Sequence, residues 1–207
     1  MAASKRKVVV YIDGFNLFHA LKDLGWKRYY WLDLVSFSRA VLSDMQKLRM
    51  VRYFTSRGIN DPHGQKRQNT YIEALETLKD LDIQYGKFTS DDWGCSGCGR
   101  IQKVNHEKQT DVNISVSMIS DAQDDNFDDG ILITADSDQV PTVSYITRTY
   151  PGKRIIVGYP PNRHSVELTP VASTVFHINR KMLEENQLPD EVKSRAGFPL
   201  IRPKSWT

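Results

Sequence analysis

An apolar run becomes acidic within the stretch Ile131-Leu132-Ile133-Thr134-Ala135-Asp136-Ser137-Asp138. Its three apolar residues predict a short strand that is buried on both faces. The two carboxylates flank a serine, and Pro141 follows at a position typical of the first turn of a helix, where a missing backbone N–H costs little. In open α/β sheets, ligands bind outside the strand ends from which the chain turns into a helix. The stretch therefore predicts a parallel sheet whose edge carries a polar site.

A second stretch, near the N-terminus, has the same arrangement. Val8–Ile12 is an apolar run, and Asp13-Gly14-Phe15-Asn16 follows it directly. The carboxyl ends of parallel strands lie at one edge of a sheet. We therefore expect two strands that are far apart in sequence to bring their polar residues into one site.

The rest of the chain alternates between strand-like and helix-like segments. Further strands are predicted at Met50–Thr55, Ile83–Phe88, Arg154–Tyr159 and Thr174–Ile178. Helices are predicted at Leu17–Leu24, around Tyr71–Leu78, after Pro141 and near Ser165–Leu168. A further helix is predicted to begin after a cap at Asp33, and its inward-facing residues would be Leu34, Phe37, Val41 and Met45. This alternation favours an α/β fold, a doubly wound sandwich around a central, mostly parallel sheet with right-handed crossovers.

The segment 110–122 fits two patterns. Its apolar residues alternate between 114 and 118 as in a strand, whereas those between 112 and 119 fit a helical stripe. We favour a helix because Thr110 can cap it and because parallel neighbouring strands need a crossover.

Length and composition are those of one globular domain. The chain has 207 residues, of which 40% are hydrophobic and 26% charged, with a net charge of +3. No apolar run approaches the ~20 residues of a membrane helix, and the run after the basic N-terminus is too short for a signal peptide. We expect a cytoplasmic protein with no membrane partner, one domain over residues 1–185, and a proline-containing C-terminal tail over 186–207 that is either packed or mobile.

Four aspartates could converge at the predicted site, namely Asp13, Asp111, Asp136 and Asp138. Asp111 begins the predicted helix, and Glu107 would share its face if the helix has already started there. Clustered carboxylates destabilise a fold unless a cation or protons neutralise them, and their hard oxygens select Mg²⁺ or Mn²⁺ over zinc. Asn16 could orient a water or a phosphate. The alternative is that each acid alone is a turn former or a helix cap, and the acids between 124 and 129 are interpreted as a solvated turn.

Several segments resemble the motifs of the NYN domains, which belong to the PIN-like nuclease superfamily. They are 11–17 (YIDGFNL), 107–112 (EKQTDV), 134–138 (TADSD) and 160–168 (PPNRHSVEL), in family order between about Lys7 and Leu183. The resemblance implies a PIN-like, Rossmannoid sheet, a Mg²⁺ or Mn²⁺ site and hydrolysis of single-stranded RNA. Carried over by position, the catalytic and metal-holding acids would be Asp13, Asp111, Asp136 and Asp138, with Asn16 as a supporting polar residue. Ala135 departs from the family, where glycine is usual, and its methyl group could crowd the approach of the substrate.

Residues close to these motifs are candidates for holding RNA. We predict that the substrate contacts Arg163, Lys108, Arg57 and Ser137, because arginine binds phosphate in bidentate fashion and cations near a strand end lie beside the acids. Phe15 is interpreted as a packing residue and His19 as a structural one.

The pair Cys95 and Cys98 forms a glycine-containing knuckle that is inserted around residues 93–103. Zinc needs four ligands, and the chain has no second cysteine pair. His106 or His63 could complete a site, or two chains of a homodimer could share a Zn²⁺ ion. The alternative, which we favour, is a pair of reduced structural thiols.

These observations favour a metal-dependent ribonuclease that hydrolyses single-stranded RNA through a metal-activated water, with 5′-phosphate and 3′-hydroxyl products as the resemblance implies. The main alternative is a non-catalytic RNA-binding module with the same fold. A phosphohydrolase acting on small phosphoesters is a third hypothesis, which we rank lowest because no lysine partner for an aspartate nucleophile is evident.

Overall fold

A computed structural model describes residues 4–57, 61–94, 97–98 and 100–207, with the side chains of 88–92 and 102–107 left out. The strands are β1 (Arg6–Asp13), β2 (Gln46–Thr55), β3 (Leu81–Tyr85), β4 (Lys87–Gly94), β5 (Ile101–Lys108), β6 (Asp129–Ile133), β7 (Arg154–Tyr159), β8 (Thr174–His177), β9 (Glu191–Lys193) and β10 (Pro199–Ile201). The helices are α1 (Gly14–Asp23), α2 (Leu34–Ala40), α3 (Pro62–Leu75), α4 (Thr110–Gln123), α5 (Val140–Thr149) and α6 (Arg180–Glu184). Short 3₁₀ helices span Lys27–Tyr30, Ser137–Gln139 and Lys204–Trp206.

Within this described part of the chain, six strands form a parallel sheet in the order β3-β2-β1-β6-β7-β8. The predicted α/β fold with a mostly parallel sheet is confirmed. Strands β2 and β3 follow β1 on one side, and β7 and β8 follow β6 on the other side. The chain therefore leaves β1 and β6 in opposite directions across the sheet. The crevice beyond their carboxyl ends is the topological switch point, where open α/β sheets bind ligands.

The continuous apolar run of β1 is explained by burial on both faces of the sheet. Val8, Val10 and Ile12 pack in a core with residues of α1, α2 and α3, whereas Val9 and Tyr11 pack in a second core with residues of α4 and α5. Because side chains alternate along a strand, a strand covered on both sides must be apolar throughout.

A side-chain cap and a glycine define ends of the first two helices. Asp33 caps α2 by accepting hydrogen bonds from two backbone N–H groups, as predicted. Gly25 ends α1 with a φ of +68°, which glycine adopts without strain.

The prediction that Met45 faces inward was wrong. The helix already ends at Ala40, and Met45 is exposed just before β2 begins at Gln46.

A polar hairpin between β3 and α4 was missed. The predicted strand Ile83–Phe88 is divided, because β3 ends at Tyr85 and β4 then pairs antiparallel with β5. The cysteine knuckle lies between these two strands. Cys98 is exposed with a free thiol, and Cys95 lies outside the described residues, so zinc binding by this pair stays a prediction.

Helix α4 confirms the helical interpretation of 110–122, but its start differs from the prediction. The N-cap residue is Gln109, which has a φ of +79° and makes no side-chain capping bond, so Thr110 is not the cap. Glu107 belongs to β5, and it therefore does not share a helix face with Asp111.

Three other segments correct or complete the sequence interpretation. Asp129 is fully buried, and therefore the acids after α4 are more than a solvated turn. Residues 166–170 form turns, so the helix predicted near Ser165–Leu168 is not formed. In the C-terminal tail, Leu188, Leu200 and Trp206 are buried in the core, so the tail is packed. None of the helices in the described part of the chain combines the length and the apolar composition that a membrane span requires.

Candidate metal centre and nucleic-acid site

Three polar segments meet at the carboxyl edge of the sheet. Strand β1 ends at Asp13, and β6 ends at Ile133, one residue before Thr134. The two strands are neighbours with Ile12 paired to Ile133. Helix α4 begins beside them, and it contributes Asp111 in its first turn. The two strand ends and this helix start therefore lie close together.

Three of the four predicted carboxylates come together. Within the described part of the chain, Asp111, Asp136 and Asp138 each offer one oxygen, and these oxygens all lie within 4.8 Å of one another. Asp136 caps the 3₁₀ helix Ser137–Gln139, since its Oδ1 accepts a 3.0 Å hydrogen bond from the backbone N–H of Asp138. Asp111 and Asp136 are half-buried and Asp138 is exposed. Hard oxygen donors at this spacing fit a divalent cation such as Mg²⁺ or Mn²⁺.

Asp13 lies beside this group without belonging to it. It is 4% exposed, and its two oxygens accept hydrogen bonds from the Asn16 backbone N–H at 3.0 Å and from the Thr134 hydroxyl at 2.8 Å. Burial, with smaller contributions from the charges of Asp111 and Asp136, raises the pKa of Asp13 to about 6, although the two hydrogen bonds act to lower it. The site thus concentrates negative charge around a buried carboxyl group.

Asn16 and Thr134 connect the two strand ends. The side-chain oxygen of Asn16 accepts a 3.1 Å hydrogen bond from the backbone N–H of Ala135, and Thr134 Oγ1 accepts a 3.1 Å bond from the backbone N–H of Asp136. Gln139 joins α4 to the same loop, because its Nε2 donates to the Asp111 carbonyl at 3.2 Å. These polar contacts determine where the carboxylates of β6 and α4 stand relative to Asp13.

A cavity of about 390 Å³ opens at the carboxylates. Its lining residues are Asp13, Phe15, Asn16, His19, Thr110, Asp111, Asp136 and Arg163. Phe15 and His19 were not predicted here. Their spacing of four residues on α1 is a signal that could have found them, since a helix starting at the strand end turns one face toward the site.

The cations near the cavity differ in position. Arg163 lines it and is paired with Asp23. Arg57 follows β2, and its guanidinium lies 5.3 Å from the centre of the Tyr85 ring. Lys108 is exposed at the end of β5. Among the described residues that line the cavity, neither Arg57 nor Lys108 occurs, and Ser137 stands half-buried between the two carboxylates of the β6 loop.

His19 of α1 lines the carboxylate cavity. Partial burial lowers its pKa, and the nearby cations Lys22 and Arg163 lower it further, whereas Asp23 has the opposite effect. Its ring lies in the same cavity as the carboxylates.

A second and larger cavity of about 580 Å³ lies next to the first, and Phe15 lines both. It is formed between α1, α3 and the C-terminal tail. Its aromatic lining residues are Phe15, Phe18, Tyr29, Tyr30, Tyr53, Tyr71 and Trp206. This cavity could not be predicted from the sequence, because its walls come from four distant segments.

Two comparisons with known proteins bear on fold and function. The 6-hydroxy-3-succinoylpyridine 3-monooxygenase HspA of Pseudomonas putida is 28% identical over 237 residues, covering 95% of this chain and 74% of that protein. A solved structure of a protein of unknown function from Vibrio parahaemolyticus superimposes with a TM-score of 0.59 at 19% identity, covering 91% of this chain and 99% of that chain. The latter supports the fold alone.

The comparison with protein families agrees with the motifs in the sequence. The family model of the NYN domain matches residues 7–200, which is most of the chain. The match includes both strand ends, the start of α4 and Arg163. The chain therefore belongs to the NYN domain family.

Proposed function

We propose that this protein is a metal-dependent ribonuclease that hydrolyses phosphodiester bonds of single-stranded RNA. The observation that carries the proposal is the group of Asp111, Asp136 and Asp138, whose oxygens lie within 4.8 Å of one another at the topological switch point. Membership of the NYN family supports a PIN-like nuclease. The donor set fits Mg²⁺ or Mn²⁺.

The carboxylates would hold the ion, and the other residues would fix their positions. When bound there, a divalent cation neutralises charge on a phosphodiester and lowers the pKa of water. Asp13 adds a fourth negative charge beside the group, and Thr134 and Asn16 hold the β6 loop against it. Because a divalent cation held by the carboxylates would supply an activated water, no protein nucleophile is required, and water is the proposed attacking group.

The cavity also offers contacts for an RNA strand. Arg163 lies in its wall, where a guanidinium can bind a phosphate in bidentate fashion. Phe15 and His19 present rings on which unpaired bases can stack without sequence readout. Lys108 and Arg57 would lie farther along the strand, and Ser137 would contact the phosphate at the carboxylates.

The test is cleavage of an end-labelled single-stranded RNA in Mn²⁺ or Mg²⁺. We expect Asp136→Asn to lower the cleavage rate more than about a hundredfold. Loss of a residue that only supports a metal ligand typically costs about 10–100-fold in activity, and loss of a ligand itself should cost more. Asp124→Asn is the matched control, since Asp124 is an exposed acid that follows α4 at the opposite edge of the sheet. Circular dichroism would check that both variants fold. RNA binding by the wild type without any cleavage in either metal would favour the non-catalytic binding module instead.

A second candidate function is oxygenation of a small heteroaromatic compound. Two observations favour it, namely the relative named as a monooxygenase of a hydroxylated pyridine and the aromatic cavity beside the carboxylates. Oxygen consumption in the presence of 6-hydroxy-3-succinoylpyridine, with a divalent metal and a reductant supplied, would support it. Unchanged oxygen consumption together with RNA cleavage would support the ribonuclease.

A further inference from the structure

We propose that the larger cavity binds one unpaired base of the same RNA strand whose phosphate lies at the carboxylates. The inference rests on the proposed RNA substrate and adds a subsite to it. In this arrangement the strand passes over Phe15, which lines both cavities.

The walls of the cavity suit a flat aromatic ring. The Tyr30 ring lies 5.0 Å from that of Phe18 and 5.5 Å from that of Trp206, and Tyr71 lies 6.1 Å from Trp206, measured between ring centres. Phe18 is 41% exposed, so part of its ring is free to stack on a ligand. Aromatic side chains of this kind stack any base, because every base has a π-face.

The cavity also contains a buried polar group that a base edge could satisfy. Ser56, which follows β2, is fully buried in its wall, and no described residue donates to or accepts from its hydroxyl oxygen. A buried hydroxyl group without a partner is unfavourable. The nitrogen and oxygen atoms at the edge of a base are suitable partners, whereas an aliphatic ligand has none to offer.

The arrangement of α1 connects the two cavities. Phe15 and His19 line the carboxylate cavity, and Phe15, Phe18 and Lys22 line the larger one. Residues three, four and seven apart share one face of a helix, so the same face of α1 forms the wall between the cavities. A base and the phosphate of one strand can therefore lie on either side of this helix face.

The charges at the rim fit a polyanion better than a neutral ligand. Lys22, Lys27 and Arg67 line the larger cavity, with Arg67 at 3.6 Å from Asp61. Arg163 continues the basic groups into the carboxylate cavity. The volume of about 580 Å³ lies in the range of small-molecule sites and accommodates a nucleoside.

The experiment measures binding of a short fluorescent RNA by anisotropy, in EDTA so that the strand stays intact. An abasic nucleotide is placed at each position in turn. In the wild type, we expect one position at which the missing base weakens binding about tenfold, the range measured for base stacking on aromatic residues. Phe18→Ala should abolish this position-specific loss, since the side chain that stacks is then gone. Phe198→Ala, which alters another exposed phenylalanine, should leave it unchanged.

The outcomes separate this subsite from the proposed activity. Equal loss at every position, or a loss that Phe18→Ala leaves unchanged, would overturn the subsite even if the protein cleaves RNA. A position-specific loss that depends on Phe18, without cleavage in Mn²⁺, would support the subsite and remove the ribonuclease. Free uridine or adenosine that competes as well as the intact strand would show a small-molecule site and overturn the proposal.

Discussion

Thr134 donates its hydroxyl proton to Asp13 across a distance of 2.8 Å, and this bond joins the ends of the two central strands. Both residues are buried. The same hydroxyl oxygen accepts from the backbone N–H of Asp136 at 3.1 Å. A single side chain thereby links the buried carboxyl group of β1 to the loop that carries Asp136 and Asp138.

Replacing Thr134 by valine should therefore affect both stability and site chemistry. Thr134→Val keeps the shape but leaves an oxygen of Asp13 and an N–H group without their partner, and we expect a loss of about 1–3 kcal/mol in the free energy of unfolding. The pKa of Asp13 should rise further, because the bond to Thr134 lowers it. Urea denaturation measures the first effect, and Thr134→Ser, which keeps the hydroxyl, should show much less of it. Equal losses in both variants would argue against the hydrogen bond.

The raised pKa of Asp13 predicts a pH-dependent stability. Its pKa rises from the usual 3.8 to about 6 on folding, so the folded state binds the proton more tightly than the unfolded state. In EDTA, stability should fall as the pH rises from about 4 to 6, and the loss should be complete above that range. Asp13→Asn removes the charge that is unfavourable to bury, and it keeps a side-chain oxygen that can accept the hydrogen bond from the Asn16 N–H. We therefore expect the free energy of unfolding to increase by about 2–3 kcal/mol at pH 7.5 and to change little at pH 4. Parallel pH profiles for the two proteins would contradict this assignment.

A divalent cation should stabilise the folded protein through the three clustered carboxylates. At Mn²⁺ concentrations about a hundredfold above the dissociation constant, the linkage is about 2.7 kcal/mol, or roughly 5–10 °C in Tm for a domain of this size. Asp111→Asn and Asp136→Asn should reduce the shift strongly, whereas Asp124→Asn should retain it. Differential scanning fluorimetry across a Mn²⁺ titration measures it without any substrate. If all four proteins show the same shift, the ion binds elsewhere.

The sequence predicted those parts of the fold and site that depend on local pattern. The buried strands appear as apolar runs, and their acidic ends identify Asp13, Asp136 and Asp138 as neighbours once a parallel sheet is assumed. Asp111 required the helical interpretation of 110–122, which α4 confirms. The NYN motifs added the order and spacing by which the chain resembles this family, and the family match over residues 7–200 agrees with them.

Features that depend on tertiary packing could not be predicted in this way. Trp206 reaches the aromatic cavity from the end of the chain, and a tail without periodicity carries no sign of its destination. Thr134 reads as an ordinary polar residue after a strand until its bond to Asp13 is seen. The hairpin of β4 and β5 was missed because its strands are polar and lack the alternation of a half-buried strand.

Gly14 should tolerate no side chain, although it is the first residue of a helix. A Cβ atom at this position would lie 2.6 Å from the backbone oxygen of Phe54 and 2.7 Å from the Tyr53 ring. A backbone oxygen in the neighbouring strand has little freedom to move, so we expect Gly14→Ala to destabilise the fold by about 1–3 kcal/mol. Gly152→Ala is the control, because a Cβ atom there meets no described atom within 4 Å. Thermal unfolding compares the two, and a neutral Gly14→Ala would contradict the close approach of α1 to β2.

Asp129 begins β6 at the edge of the sheet opposite the carboxylates. This carboxylate is fully buried and accepts hydrogen bonds from Arg6, Arg154 and Gln46 at 2.6–2.8 Å. Burial alone would raise its pKa, but these partners outweigh burial and lower it below the usual 3.8. Asp129 therefore stabilises the folded state above a pH of about 3.8, and this stabilisation is lost as the pH falls through the lowered pKa.

Asp129→Asn should accordingly weaken the fold at neutral pH and leave the candidate site intact. We expect a loss of about 1–3 kcal/mol in the free energy of unfolding, less than for a fully buried ion pair, because Arg6 and Arg154 are partly exposed and water can solvate them. The difference from the wild type should shrink in acid, which urea denaturation at several pH values would detect. RNA cleavage and the Mn²⁺-dependent rise in Tm should be unchanged, since the strand separates Asp129 from the carboxylates at its other end. A loss of Mn²⁺ stabilisation in this variant would mean that the two edges of the sheet are coupled.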